Sequence, residues 1–180
     1  MEPSAVSARL ARLRQLMAER GLAAWIALTS DPHASEYVGR HWAFRRWLSG
    51  FRSSAGTLVV TAGEALLWTD SRYWEQAARQ LDPAVALMKQ GEEGVPAPEA
   101  WLAARLEPVD RAGCDAGSVP AKRFEEIAGA LAERGAALAD DPGLVDALWT
   151  GRPPLPSDPV EAFETAKEPR AATLARLREA

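Results

Sequence analysis

Leu22 to Leu28 is an unbroken apolar run of seven residues, and it limits the fold more than any other segment. Side chains on a strand alternate between two faces, so consecutive apolar residues describe a strand covered on both sides. Covering both faces takes helices above and below a sheet. The preceding residues supply one of them. Leu10, Leu13, Leu16 and Met17 recur at helical spacing within Ser7–Arg20, arginines fill the opposite face, and Gly21 suits a left-handed helix end.

The rest of the chain alternates in the same manner. A polar stretch, Thr29 to His41, leaves the sheet, and Pro32 within it forbids a central strand. Arg45 to Gly50 reads as a short helical turn. Thr57–Thr61 and Ala65–Trp68 read as two strands joined by a turn at Ala62-Gly63-Glu64. Ser71 falls where a helix N-cap belongs, with Glu75 near the positive end of the helix and Tyr73, Trp74, Ala77, Ala78 and Leu81 on its apolar face. Val85–Lys89, Arg111–Cys114 and Ala136–Ala139 are further strands; Pro98–Leu106 and Ala121–Arg134 are further helices. The expected fold class is α/β, a mixed β-sheet flanked by helices, occupying residues 1–150.

From Gly151 the texture changes. Four prolines stand in the nine residues from Gly151 to Pro159, without periodicity, so 151–166 reads as a stiff linker. Residues 167–180 resume a helical pattern, with Leu174 and Leu177 three apart. One amphipathic helix after a linker has nothing of its own to cover it, and it is expected to be the first helix of a truncated following domain.

Composition excludes some functions. The formal charge of −4 gives no electrostatic case for nucleic acid or an anionic membrane. No window approaches the ~18 apolar residues of a membrane span, and arginines and Glu19 break up any secretory apolar region near the start. Cys114 is the single cysteine, so no internal disulfide forms and a reducing, cytoplasmic setting is the simplest expectation.

Side chains capable of chemistry are sparse. The histidines, His33 and His41, are eight apart with Pro32 beside the first, which is no ligand pair on a helix face; no metal is expected in this chain. Asp31, Asp70 and Glu36 read as turn and surface carboxylates. Cys114 reads as a buried, inert thiol at a strand end. No catalytic residue is expected. Arg72 is the best candidate for direct substrate contact, because it opens a helix immediately after a strand, where α/β sheets present ligand-binding groups. Its guanidinium can hold a peptide carboxylate or carbonyl through two parallel hydrogen bonds; the competing role is an ion pair with Asp70 or Glu75. The loop His33 to Arg46 is the second candidate, as a binding rim or as a hydrogen-bonded network that fixes the loop. Trp42 and Trp47 mark a contact surface if exposed and core if buried. Trp25, Trp68, Trp74, Trp101 and Trp149 read as packing residues, and Asp146 as a cap or ion-pair partner.

Four pieces stand in order here: SDPHASEY at 30–37, RRWLSGF at 45–51, SSAGTLVVT at 53–61 and LWTDSRY at 67–73. Together with Leu87-Met88-Lys89, Trp101-Leu102, Gly113-Cys-Asp115, Leu144–Trp149 and Arg152-Pro153, they resemble the amino-terminal domain of aminopeptidase P, the Xaa-Pro aminopeptidases of the creatinase/prolidase superfamily. The resemblance implies a creatinase/prolidase N-terminal fold with its ribonuclease-H-like motif. It also implies an accessory, substrate-gating domain of an enzyme that removes an N-terminal residue linked to proline. The catalytic domain, where two divalent metal ions (manganese in the usual case) activate a water, is absent from this sequence, so the chain alone is expected to be inactive. Proline-containing peptides as substrate and a homo-oligomeric, for instance dimeric, intact enzyme are further implications. Arg72, in the matching TD-(Gly/Ser)-RY motif, and His33, in the HxSEY motif, are the substrate-binding residues the resemblance implies. Two alternatives stay open: a stand-alone, non-catalytic binding or oligomerisation module, and the N-terminal domain of a creatinase- or prolidase-type hydrolase.

Overall fold

Strand β1 (Ala24–Leu28) lies inside a six-stranded sheet, with β2 (Thr57–Thr61) on one side and β5 (Arg111–Cys114) on the other. The computed structural model describes residues 4–157, 159 and 168–179. With β3 (Ala65–Thr69), β4 (Ala86–Lys89) and β6 (Ala137–Asp140), the strand order is β4-β3-β2-β1-β5-β6. Strand β2 runs antiparallel to both β1 and β3, while the β3–β4, β1–β5 and β5–β6 pairs are parallel. Five strands therefore point the same way, and their C-terminal ends open along one edge. The sheet is mixed, as expected.

The apolar run is divided between two cores. Trp25 and Ala27 face one cluster, with Leu58 and Val60 of β2 and Ala65 and Leu67 of β3. Ala24 and Ile26 face the other, with Val59, Leu66 and Trp68. The first face is covered by α1 (Ala5–Glu19), α2 (Phe44–Ser49), α3 (Trp74–Gln80) and α6 (Pro142–Leu148), through Leu10, Leu13, Leu48 and Leu144 among others. The second is covered by α4 (Pro98–Ala103) and α5 (Ala121–Ala132), through Trp101, Leu102, Ile127 and Leu131. Leu106, at the end of the longer helix expected from Pro98, is buried in a turn beyond α4.

Local chemistry sets the ends. Ser4 Oγ accepts from the Ser7 backbone N–H at 3.0 Å and caps α1, which therefore begins two residues before the periodic pattern. Gly21 follows α1 with φ of +63°, the left-handed conformation expected of it. Ser71 is not an N-cap. Ser71–Tyr73 wind as a 3₁₀ turn before α3, so the residue one earlier, Asp70, caps it and accepts from the Arg72 N–H at 3.1 Å. Helix α6 is an addition to the expected elements. Pro142 is its first residue, and the Asp141 carboxylate accepts from the Leu144 N–H at 3.1 Å.

Val109, 89% exposed in the turn before β5, has φ of +73°, a region that β-branched side chains avoid. Its N–H donates to the Gly135 carbonyl, which holds the turn in place. Val109→Gly removes the clash at some cost in chain entropy, and a net gain of about 1 kcal/mol in urea unfolding is expected.

The linker expected over 151–166 is described only to 157 and at 159; its other residues lie outside the described set. Helix α7 (Arg170–Glu179) forms within the expected 167–180 and buries no residue, with Leu174 and Leu177 exposed. Residues 167 and 180 lie outside the described set.

Candidate functional site

The C-terminal edge of the sheet gathers the loop after β1, the turn after β3 and the turn after β5. The loop after β1 is anchored at its start. Thr29 donates from both N–H and Oγ1 to the Gly56 carbonyl at 2.9 Å, and Ser30 Oγ donates to the Ser118 carbonyl at 2.6 Å. Asp31 then shapes it. This buried carboxylate accepts from the His33 and Ser35 backbone N–H groups, both at 3.0 Å, while Ala34 adopts a left-handed φ of +54°. Burial alone raises its pKa, but those amides and the Ser35 hydroxyl outweigh it and hold Asp31 below the usual carboxylate range. Asp31 is thus the internal tie of a turn that projects His33, Glu36 and Tyr37 into solvent.

Arg45 is the second tie. It is 1% exposed, and its Nε donates to Thr29 Oγ1 at 2.8 Å, Nη1 to the Phe51 carbonyl at 2.6 Å, and Nη2 to the Ser53 carbonyl at 2.8 Å. Burial, with the neighbouring Arg46 charge, pulls its pKa down to about 9, so it stays protonated at neutral pH. Of the two roles open for the loop, Arg45 takes the one that fixes it. Arg46 is half-buried and donates through Nε to the Ser53 carbonyl at 2.9 Å.

Arg72 stands at the turn after β3 with its side chain 70% exposed. Its Nε and Nη2 meet the two oxygens of Asp70 at 2.8 and 2.9 Å, so the ion pair weighed against substrate contact is present. Hydrogen bonding from Arg72 holds the Asp70 carboxyl below its ordinary range despite an opposing desolvation, and Asp70 in turn raises Arg72. Glu36, on the projecting loop, adds to the field on Arg72. A guanidinium has five N–H donors, and two are used, so the outward edge can still engage a carboxylate or carbonyl. Tyr73 beside it is fixed by a 2.6 Å hydrogen bond between its hydroxyl and Ser54 Oγ. His33 lies elsewhere on the rim, edge-on to Trp42 with ring centroids 6.4 Å apart.

A third tie is invisible to spacing and periodicity. Arg152, at the head of the proline-rich segment, donates to Asp115 Oδ2 at 3.1 Å, Asp146 Oδ1 at 3.0 Å and the His41 carbonyl at 3.0 Å. His41 Nδ1 in turn meets the Pro153 carbonyl at 2.7 Å. Asp146 is therefore an ion-pair partner, and Arg152 and Pro153 are bound to the rim. The one local signal is an arginine directly before Pro153-Pro154.

Cys114 is buried, and burial followed by the Asp140 and Asp115 charges pushes its thiol up to about 12, which makes it unreactive. Among the described residues, no three His, Cys, Asp or Glu side chains come together in a way that could hold a metal ion. Trp25, Trp68 and Trp101 are buried, whereas Trp42, Trp47, Trp74 and Trp149 are half-buried, with Trp47 and Trp149 packed against the first core.

The sequence signature of the Creatinase/Prolidase N-terminal domain matches residues 9–148. The chain belongs to this family. Members among whole enzymes include rat Xaa-Pro aminopeptidase 2, 41% identical over 157 residues covering 86% of this chain and 23% of that protein. The probable Xaa-Pro aminopeptidase P of Talaromyces stipitatus is 38% identical over 99% of this chain and 28% of its own length. The crystal structure of X-prolyl aminopeptidase from Caenorhabditis elegans, described as a cytosolic enzyme with a di-nuclear active site, superposes with a TM-score of 0.83. It is 33% identical, over 98% of this chain and 31% of that one. The N-terminal domain of the cytoplasmic peptidase PepQ from Mycobacterium tuberculosis shares the fold at a TM-score of 0.58 and 30% identity, over 78% of this chain and 98% of that one. This creatinase/prolidase N-terminal domain thus spans 23% to 31% of the whole-enzyme relatives. None of its described helices is long and apolar enough to cross a membrane.

Proposed function

We propose that this domain is the amino-terminal accessory and substrate-gating part of a metal-dependent Xaa-Pro aminopeptidase acting on proline-containing peptides. The observation that carries the reading is the similarity to the Caenorhabditis elegans enzyme over nearly the whole chain. On this reading the chemistry belongs to a following domain with two divalent metal ions, manganese in the usual case, and the intact enzyme is a cytoplasmic homo-oligomer such as a dimer. Residues 1–150 form the domain, 151–166 the linker and 167–180 the first helix of the next domain. The exposure of Leu174 and Leu177 on α7 fits a helix whose apolar residues await a partner.

Arg72 and His33 are the substrate-facing residues of the rim. Arg72 sits past the C-terminal end of β3, held at a fixed orientation by Asp70 yet open to solvent. Two assays test the reading. The 180-residue chain with manganese should not hydrolyse an Xaa-Pro dipeptide, and turnover by the pure chain sinks the accessory role. In the intact enzyme, Arg72→Ala should raise KM for a tripeptide about tenfold with little change in kcat, as expected for one exposed charge-assisted hydrogen bond. An unchanged KM would leave Arg72 only as the partner of Asp70.

A further inference from the structure

Beside the rim, on the α1, α2 and α6 face of the sheet, is a cleft of about 470 Å³ whose wall carries four arginines: Arg9, Arg40, Arg46 and Arg52. Trp47 and Trp149 form the rest of its main surface, and no carboxylate lines it. This contrasts with the rest of a chain whose net charge is −4. Several arginines elsewhere are matched with acids, such as Arg20 with Asp141, Arg72 with Asp70, Arg123 with Glu99, and Arg152 with Asp115 and Asp146. None of the four cleft arginines takes part in an ion pair among the described residues.

The cleft is also built to hold its shape. Trp47 and Trp149 stack with ring centroids 5.2 Å apart and planes 17° apart. Arg9 lies over the Trp47 ring at 4.5 Å and donates through Nη1 to the Trp47 carbonyl at 2.5 Å. Arg46 is aimed by its Nε bond to the Ser53 carbonyl, which leaves both terminal nitrogens to the cleft or to solvent. Pro153 closes one side, and the His41 and Arg152 contacts hold that segment down. Guanidinium groups with spare N–H donors match the oxygens of phosphate or carboxylate in pairs. A concave, low-dielectric wall concentrates the field of four like charges, and the volume is in the range of small-molecule sites.

We propose that this cleft binds a small, multiply charged anion carrying two or more phosphate or carboxylate groups. The site is independent of the substrate role assigned to Arg72 and His33, and neither residue lines it.

The test is titration calorimetry with tryptophan fluorescence on the 180-residue chain, using pyrophosphate and citrate as probes at low and at physiological salt. One saturable site with a dissociation constant below about 1 mM is expected at low salt, weakening as salt rises. Arg40→Ser and Arg52→Ser should each weaken binding about tenfold or more, in line with the loss of one charge-assisted contact. Both residues are exposed and make no side-chain hydrogen bond among those described, so circular dichroism should be unchanged. Arg12→Ser and Arg79→Ser, on exposed arginines outside the cleft, should leave binding as it is. Absence of saturable binding by both anions overturns the proposal. So does equal weakening by the outside variants, which would mean general attraction. Binding of a tetraglutamate peptide without either small anion would also overturn it, by assigning the cleft to a protein partner.

Discussion

Gly113→Ala is expected to lower the unfolding free energy by about 3 kcal/mol, and Gly113→Val to abolish a cooperative transition near body temperature. Gly113 lies in β5 directly beside Trp25 of β1 and Ala139 of β6. A Cβ there would sit 2.6 Å from Trp25 Cε3 and 2.7 Å from both Trp25 Cζ3 and Leu22 Cδ1. The indole therefore occupies the space a side chain would take. Trp25 cannot easily retreat, because it is 1% exposed and meets Phe44 edge-on at 6.4 Å. Phe44 in turn stacks on Trp47. A methyl group at position 113 thus presses on a continuous aromatic column, and valine adds two more carbons with no room for either. Urea unfolding followed by tryptophan emission measures the loss. Trp25→Leu placed in the Gly113→Ala background should recover part of it, since the two substitutions compete for one volume. A Gly113→Ala protein within about 0.5 kcal/mol of the parent would refute the close-packing argument.

The same position shows which parts of the structure were legible in the sequence. The apolar run from Leu22 to Leu28 announced a strand covered on both faces, and the helical spacing of Leu10, Leu13 and Leu16 announced what covers one of them. Those are periodic signals, repeated over many residues. Helix α6 has seven residues, too few to establish a period, and its existence rests on Asp141 capping a turn that opens with Pro142. The shift of the cap from Ser71 to Asp70 depends on whether a turn winds with three or four residues, which spacing alone does not resolve. Arg72 and Asp70 are two apart, so their pairing was open to anticipation. Arg152 joins Asp115, Asp146 and the His41 carbonyl from three separate segments, and such convergence is a product of topology. Gly113 belongs to that class too: the glycine is local, but the tryptophan that needs it is 88 positions away.

Arg45→Met is expected to cost about 3 kcal/mol and to loosen the rim before the core. Methionine restores most of the volume of the buried stem and removes a charge that burial opposes, and both effects favour the variant. Against them stand the acceptors it serves: Thr29 Oγ1 and the Phe51 carbonyl lose their donor, and the Ser53 carbonyl keeps only the bond from Arg46 Nε. The Phe51 contact is buried, and a stranded acceptor there costs about 1–3 kcal/mol; with the bonds lost at Thr29 and Ser53 the sum exceeds the relief. Arg45→Lys retains the charge but not the planar fork, reaches fewer acceptors at once, and should fall between parent and methionine variant. The consequence for function comes from where the acceptors lie. Thr29 begins the loop that projects His33 and Glu36, and Ser53 precedes the Ser54 hydroxyl that fixes Tyr73 next to Arg72. Amide hydrogen exchange should therefore accelerate first in residues 29–42 and 51–56, while β1 and β2 stay protected at the level set by the remaining global stability. Uniform acceleration across the sheet would instead make Arg45 an ordinary core residue, and the rim would need another anchor.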